Sequence, residues 1–246
     1  MGRSKHYYIR KSHRYLGVIL GIQFFIWTIS GLYFSWTNID EIHGDLQHKS
    51  LPRLTANYDL ISPSLFLKSS HEKADSIQAI QLINILGKPY YNLQYYSGGK
   101  IKRIIANATT GEIRPPISKE EAIQMAAESF HGDPKLKSIQ YITSTDGHHE
   151  YREKPLPAWA VTFEHPTNTT IYVSSEGGKV ESFRNSKWRV FDFLWMGHTM
   201  DYKSRDNINN WLLRIFSVFG LITVISGFAL YMVSSKRLKK KRTLSV

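Results

Sequence analysis

The chain contains ten histidines and no cysteine, and this sets the chemistry that it can perform. Without a thiol there is no thiol redox chemistry, no cysteine-ligated iron–sulfur cluster and no covalently attached c-type haem. Imidazole is then the principal ligand for a transition metal. Three histidines, His13, His43 and His198, lie close to the ends of long apolar segments. We take these three as the candidate metal ligands.

Two apolar segments must position these histidines. Residues 15–36 carry no charge, and residues 211–233 carry one, Arg214. At about 1.5 Å of rise per residue, either segment spans the ~30 Å hydrocarbon core of a bilayer as a helix. The first segment is too long for a secretory signal peptide and ends without a small-residue cleavage site, so we expect it to stay attached. The sequence therefore predicts two transmembrane helices.

The net charge of +12 is concentrated at the two ends of the chain. Residues 37–210 balance 20 basic against 20 acidic side chains, and neither end carries a carboxylate. The basic residues at the ends are Arg3, Lys5, Arg10, Lys11, Arg14, Lys236, Arg237, Lys239, Lys240, Lys241 and Arg242. Clustered Lys and Arg stay on the cytoplasmic side, so both termini are predicted inside and the central region outside. The charge thus indicates topology, and we predict no nucleic-acid partner.

The second half of the central region has the pattern of a helix followed by a small antiparallel sheet. Ser118 and Glu121 form a capping-box pattern that opens an amphipathic helix ending near Phe130. Strand-like segments follow at about 137–143, 158–163, 170–173 and 180–183, with a Gly-Gly turn before the last.

The first half repeats this order. A short helix is predicted near 62–69, and strands are predicted at about 76–85, 90–95 and 101–105, with a turn at 110–112. The interval from Leu93 to Gly111 is 18 positions, and that from Val161 to Gly178 is 17. This register match predicts a duplicated unit of one helix on a small antiparallel sheet.

Several segments resemble a known family of membrane proteins. The sequence RKSHRYLG at 10–17, TISGL at 28–32, WRVFDFLWMGH at 188–198 and Ser226-Gly227 are similar to the first and last helices of the PepSY-associated transmembrane family. The two central halves resemble PepSY domains, with the expected turns at 106–112 and 174–178. Larger members with four helices include inner-membrane reductases of ferric siderophores that carry haem b. The resemblance implies iron uptake and oxidoreductase function at a bacterial inner membrane.

The implied fold is an α+β membrane protein in which two transmembrane helices flank an extracytoplasmic, periplasmic region of two PepSY-like units. The predicted segments are a basic cytoplasmic N-terminus (1–14), the first transmembrane helix (15–36), a juxtamembrane linker (37–54), the first PepSY-like unit (55–117), the second unit (118–186), an interfacial amphipathic segment (187–210), the second transmembrane helix (211–233) and a basic cytoplasmic C-terminus (234–246).

Haem b would need two axial ligands on opposite faces of the ring and a cation near its propionates. His13 and His43 are 30 residues apart, about 45 Å along a helix, so two separate sites are predicted. At the outer side, His43 and His198 are brought together by antiparallel helices. Arg214 would contact a propionate, or else extend to the lipid headgroups.

The inner site needs a second ligand opposite His13. That ligand is either His13 of a second copy or Met232, and a homodimer would form a four-helix bundle. Helical spacing from His13 gives a stripe of mostly small residues, which fits both close helix packing and a haem edge. The stripe comprises Gly17, Gly21, Phe24, Thr28, Gly31 and Ser35, with Ser217, Gly220 and Gly227 on the second helix.

Three functions remain open at this stage. The first is a haem-containing reductase that passes electrons outward to ferric iron or a ferric siderophore. The second is a non-catalytic anchor whose PepSY-like pair binds and regulates a partner, and the third is an accessory subunit of a larger complex. His148, His149 and His165 either hold a transition metal between loops or are solvated. No hydrolase or NTPase motif is present.

Overall fold

The computed structural model describes residues 5–50, 53–69 and 74–234. Its helices are α1 (Lys5–Trp36), α2 (Ile39–His43), α3 (Ser64–Ser69), α4 (Lys119–Glu128), α5 (Ser186–Thr199) and α6 (Trp211–Ser234). Its strands are β1 (Ser76–Ile85), β2 (Lys88–Ser97), β3 (Lys100–Asn107), β4 (Ile113–Arg114), β5 (Lys135–Ile142), β6 (Ala158–Glu164), β7 (Thr170–Ser174) and β8 (Lys179–Arg184). The α+β prediction, with an apolar helix near each end and two antiparallel sheets between them, is confirmed.

The chain divides into two compact units. The helical unit contains the described parts of residues 1–37 and 191–246, and the sheet unit contains residues 38–190. Helix α5 contributes residues to both units.

The helical unit is built on α1 and α6. The stretches His13–Trp36 and Trp211–Met232 are long and apolar enough to cross a membrane, in agreement with the predicted spans. The two helices pack closely where Gly220 faces Phe24, since a Cβ at Gly220 would lie 3.4 Å from the phenyl ring. Helix α1 includes residues 5–14, ahead of the uncharged segment 15–36, because the basic residues there are good helix formers. Residues 1–4 and 235–246, with their basic side chains, lie outside the described residues.

The first sheet has the strand order β1-β2-β3-β4, with every neighbouring pair antiparallel. Tyr91, Leu93 and Tyr95 alternate along β2 and point to one face, where Phe66 of α3 stacks on Tyr91 with ring centroids 5.8 Å apart. This sheet therefore carries a helix on one face.

The second sheet repeats this arrangement as β5-β6-β7-β8, again fully antiparallel. Helix α4 begins with the predicted capping box, in which Ser118 and Glu121 bond to each other's backbone N–H groups, and its apolar side packs on β6, β7 and β8. The loop 143–157 covers the other face, where Tyr151 stacks on Tyr172 at 4.5 Å.

The two sheets share one hydrophobic core. Ile85 and Ile105 of the first sheet pack into the cluster that contains Val161 and Phe163 of the second. The amide of Asn92 donates a hydrogen bond of 2.6 Å to the carbonyl of Gly177 across the sheets. Gly111 and Gly178 occupy corresponding turns, after the third strand of each sheet, as the register match predicts.

The predicted juxtamembrane linker contains a helix that the sequence analysis did not predict. Asn38 caps α2 by accepting the N–H of Asp40, and Ile42 is fully buried. The side chain of Asn185 donates to the carbonyl of Glu41 at 2.8 Å. The segment is therefore part of the sheet unit, where Ile42 is buried and the carbonyl of Glu41 finds its partner.

Candidate functional site

His198 belongs to an aromatic cluster of four side chains in the helical unit. It consists of Phe34, Phe191, Trp195 and His198. The last three recur at helical spacing on one face of α5, which places them all against α1. Phe34 lies 4.7 Å from Phe191, 5.9 Å from Trp195 and 5.5 Å from His198, measured between ring centroids. The imidazole also stacks on Trp195 at 6.1 Å. The cluster gives His198 an apolar environment within one chain.

The ring of His198 is held by a serine of the first span. Its Nδ1 lies 2.7 Å from the Oγ of Ser30, a fully buried side chain. The backbone carbonyl of His198 accepts a hydrogen bond of 2.7 Å from the indole N–H of Trp27. Burial lowers the pKa of His198 below its usual value, which favours the neutral imidazole. A neutral imidazole is the form that binds a metal.

The last turn of α5 is pressed against α1. The amide of Gln23, a buried polar group within the span, donates to the carbonyl of Gly197 at 3.0 Å. A Cβ at Gly197 would lie 3.2 Å from the side chain of Ile26, so a larger residue would push the helices apart. Glycine here lets α5 approach closely enough for His198 to reach Ser30.

His13 has a matching environment towards the other end of α1. Its Nδ1 lies 2.9 Å from the Oγ of Ser226 on α6. Ser226 also donates to the carbonyl of Thr223 at 2.8 Å. Within the described part of the chain, the Nε2 atoms of His13 and His198 have no hydrogen-bond partner. Both candidate histidines therefore engage a serine through Nδ1 and leave Nε2 for another ligand.

The remaining predicted site residues lie elsewhere. His43 is the last residue of α2, in the sheet unit, and is exposed. The guanidinium of Arg214 lies 5.4 Å from the ring centroid of Trp211, in the first turn of α6. Met232, six residues beyond Ser226, is more than half exposed. The helical unit thus brings His13 and His198 to serines, and among its described side chains no second histidine lies against either one.

The loop histidines have local structural roles. The backbone N–H of His148 donates to Asp146, and the Nδ1 of His149 accepts the N–H of Tyr151 at 3.0 Å. The Nδ1 of His165 lies 2.6 Å from the Oγ1 of Thr167. Among the residues that the structure describes, no group of three or more His, Cys, Asp or Glu side chains is arranged to hold a metal ion. His71 lies outside the described residues.

A polar junction between α5 and α6, which the sequence analysis missed, fixes the end of α5. The carboxylate of Asp201 accepts the N–H groups of Lys203, Ser204 and Asn207 and the hydroxyl of Ser204. Burial alone would raise its pKa, but these hydrogen bonds outweigh burial and lower the pKa to about 2.

A buried ion pair completes the junction. Asp192, on α5, pairs with Arg205 and is almost fully buried. The sequence signal for this ion pair is the single aspartate between Phe191 and Phe193. A carboxylate buried among apolar side chains needs a cation nearby. Asn210 links the helices by donating to the carbonyl of Thr199 at 2.9 Å while accepting the N–H of Leu213.

Comparison with protein-family models, with curated proteins and with solved structures finds no match to this chain. The family resemblance stays a prediction.

Proposed function

We propose that this chain is an inner-membrane electron-transfer protein whose helical unit binds haem b and reduces ferric iron or a ferric siderophore on the periplasmic side. The observation that supports the proposal most strongly is the shared geometry of His13 and His198, each bonded to a serine through Nδ1 with Nε2 left over. Metal-bound histidines typically donate the N–H of their second ring nitrogen to an acceptor oxygen, and a serine hydroxyl can supply such an oxygen. Haem, when bound, supplies one-electron redox chemistry.

The residues present suit this cofactor in three respects. The donors are imidazoles, and one of them lies in the apolar aromatic cluster. Gly17 and Gly21 leave space beside α1, since a Cβ at either position would meet nothing within 4 Å. Arg214, in the first turn of α6, offers a cation for a propionate.

We propose that two copies of the chain form the inner site. Ser226 marks the level of His13 on α6, and Met232 lies six residues further on, about 9 Å of helical rise. This offset favours His13 of a second copy as the opposing ligand. A homodimer would supply that histidine and form a four-helix bundle. For the outer site, His43 remains the proposed second ligand on the sequence argument alone.

The polar junction has a positioning role in this proposal. The Asp192–Arg205 ion pair and the hydrogen bonds to Asp201 fix the backbone immediately after His198. A loop held in this way keeps the last turn of α5 against α1, so the imidazole does not depend on a mobile segment for its orientation.

A second function has support from the sheet unit. A cavity of about 570 Å³ is lined by Leu86 and Met125 together with the charged residues Lys49 and Glu128. Ile77, Ile80 and Leu82 form an exposed aliphatic row on edge strand β1. These surfaces favour a membrane-anchored binding module that regulates or assembles a partner, with no catalysis of its own.

Reoxidation of the reduced protein by a ferric siderophore distinguishes these functions. Wild-type protein reduced with dithionite and freed of excess reductant should lose its reduced α band when a ferric siderophore is added. His198→Ala should abolish this reoxidation by the siderophore. His148→Ala, in an exposed turn, should behave like wild type. A wild-type protein without any haem band would reject the electron-transfer function and favour the binding module.

A further inference from the structure

The two serines that contact the candidate ligands each make a second hydrogen bond, and this pairing fixes a proton. The hydroxyl of Ser30 donates to the carbonyl of Ile26 at 2.8 Å, with the carbonyl of Trp27 also in reach at 3.1 Å, and that of Ser226 donates to the carbonyl of Thr223 at 2.8 Å. A carbonyl oxygen only accepts, and a hydroxyl carries a single proton. If that proton pointed elsewhere, two acceptor oxygens would face each other at hydrogen-bonding distance and repel.

With its proton committed to the backbone, each serine oxygen can only accept from the imidazole. The Nδ1 of His198 lies 2.7 Å from Ser30 Oγ, and the Nδ1 of His13 lies 2.9 Å from Ser226 Oγ. Both Nδ1 atoms must therefore carry a proton. In a neutral imidazole the other nitrogen, Nε2, then has a free lone pair.

We propose that Ser30 and Ser226 are positioning residues that hold His198 and His13 in the Nδ1–H tautomer and so make Nε2 the ligand atom of both imidazoles. This inference rests on the proposed function for the identity of the ligand, a haem iron. The proton assignment itself rests only on the hydrogen bonds of these two serine hydroxyls. The same Nδ1–H tautomer is assigned at both sites, although the two serines lie on different helices, α1 and α6.

The chain contains matched control serines. Ser35 on α1 donates to the carbonyl of Leu32 at 3.0 Å, and Ser217 on α6 donates to the carbonyl of Leu213 at 2.8 Å. Both are exposed, and neither contacts a histidine. Ser35→Ala and Ser217→Ala therefore remove a backbone hydrogen bond of the same kind without touching an imidazole.

The test is ¹⁵N NMR of haem-free full-length protein, labelled at histidine and reconstituted in lipid nanodiscs, with signals assigned through His13→Ala and His198→Ala. Wild-type protein should show both imidazoles protonated at Nδ1. Ser30→Ala should lower the ratio of the Nδ1–H to the Nε2–H tautomer of His198 alone, and Ser226→Ala that of His13 alone, by roughly 2- to 10-fold for the loss of one hydrogen bond. Ser226→Thr should give the same spectrum as wild type, in contrast to Ser226→Ala, because threonine retains the hydroxyl.

Protonation at Nε2 in the wild-type spectrum would overturn the inference, even if a serine variant failed to fold. It would also be overturned if Ser35→Ala or Ser217→Ala changed the tautomers as much as the two test variants. Haem titration is the second measurement, in which Ser30→Ala and Ser226→Ala should weaken binding by about 10- to 100-fold relative to the controls. A wild-type protein with the expected tautomers that binds no haem would support the serine assignment and reject the proposed function.

Discussion

Replacing Gly178 with alanine should destabilise the sheet unit far more than the same change at Gly98. Gly178 has a φ of +66°, and a Cβ there would lie 2.8 Å from Ile105, 2.9 Å from Ile85 and 3.0 Å from Ile83. Gly98 has a φ of +58°, but a Cβ there would meet nothing within 4 Å. The pair of variants therefore separates backbone strain from steric overlap in the core between the two sheets.

The expected loss of unfolding free energy has three contributions: the positive φ, the entropy of the unfolded chain and, at Gly178 only, overpacking. A positive φ costs an alanine about 1–2 kcal/mol, and the lower entropy of the unfolded chain returns about 0.4–1 kcal/mol, so Gly98→Ala should lower the free energy of unfolding by about 1 kcal/mol or less. Gly178→Ala adds about 1–3 kcal/mol for overpacking against three isoleucines. We expect a total loss of about 1–4 kcal/mol, always larger than that of Gly98→Ala by the overpacking contribution.

Urea denaturation of the full chain in detergent, followed by circular dichroism of the β-sheet signal, measures both losses. Equal free energies of unfolding for Gly178→Ala and Gly98→Ala would refute the shared core, because the steric contribution would be missing.

Three further outcomes are expected. Because the pKa of Asp201 is lowered to about 2 from an ordinary 3.8, its contribution to stability should be complete above pH 3.8 and lost as the pH falls towards 2. Thermal melts across this range should show the loss in wild type and not in Asp201→Asn. Asp192→Ala should cost about 2–3 kcal/mol by leaving the partly buried Arg205 without its partner; a melting temperature like that of wild type would contradict the ion pair. A reporter fused after Val246 should label from the cytoplasm and one inserted near Gly147 from outside, and the reverse labelling at either site would overturn the topology.

Local pattern was sufficient to predict most of the elements. The strands and helices predicted in the sheet unit lie within two residues of their observed bounds, because alternating side chains and the Ser118–Glu121 capping box act over a few residues. Helix α2 was missed because its burial depends on Ile42 and Asn185, which are far apart in sequence. A contact between residues so far apart in sequence leaves no local periodicity from which it could be predicted.

The candidate site was predictable only in part. His13 and His198 stood out because each lies beside an apolar span and imidazole is the principal metal ligand of a chain without cysteine. Their partners did not stand out, since a serine in an apolar helix has many possible roles, and only the packing of α1 against α5 and α6 shows that Ser30 and Ser226 face imidazoles. Asp201 was missed for a similar reason, because its donors are mainly backbone N–H groups that any sequence supplies.

Haem content of the purified protein tests the central proposal most directly. A pyridine haemochromogen assay, on protein expressed with haem supplementation, should find haem b in wild type, less in His198→Ala and in His13→Ala, and none in the double variant. His165→Ala, whose imidazole contacts Thr167 in the sheet unit, should retain the wild-type content. Wild-type protein without haem b, or a double variant that keeps it, would contradict the assignment of His13 and His198 as its ligands.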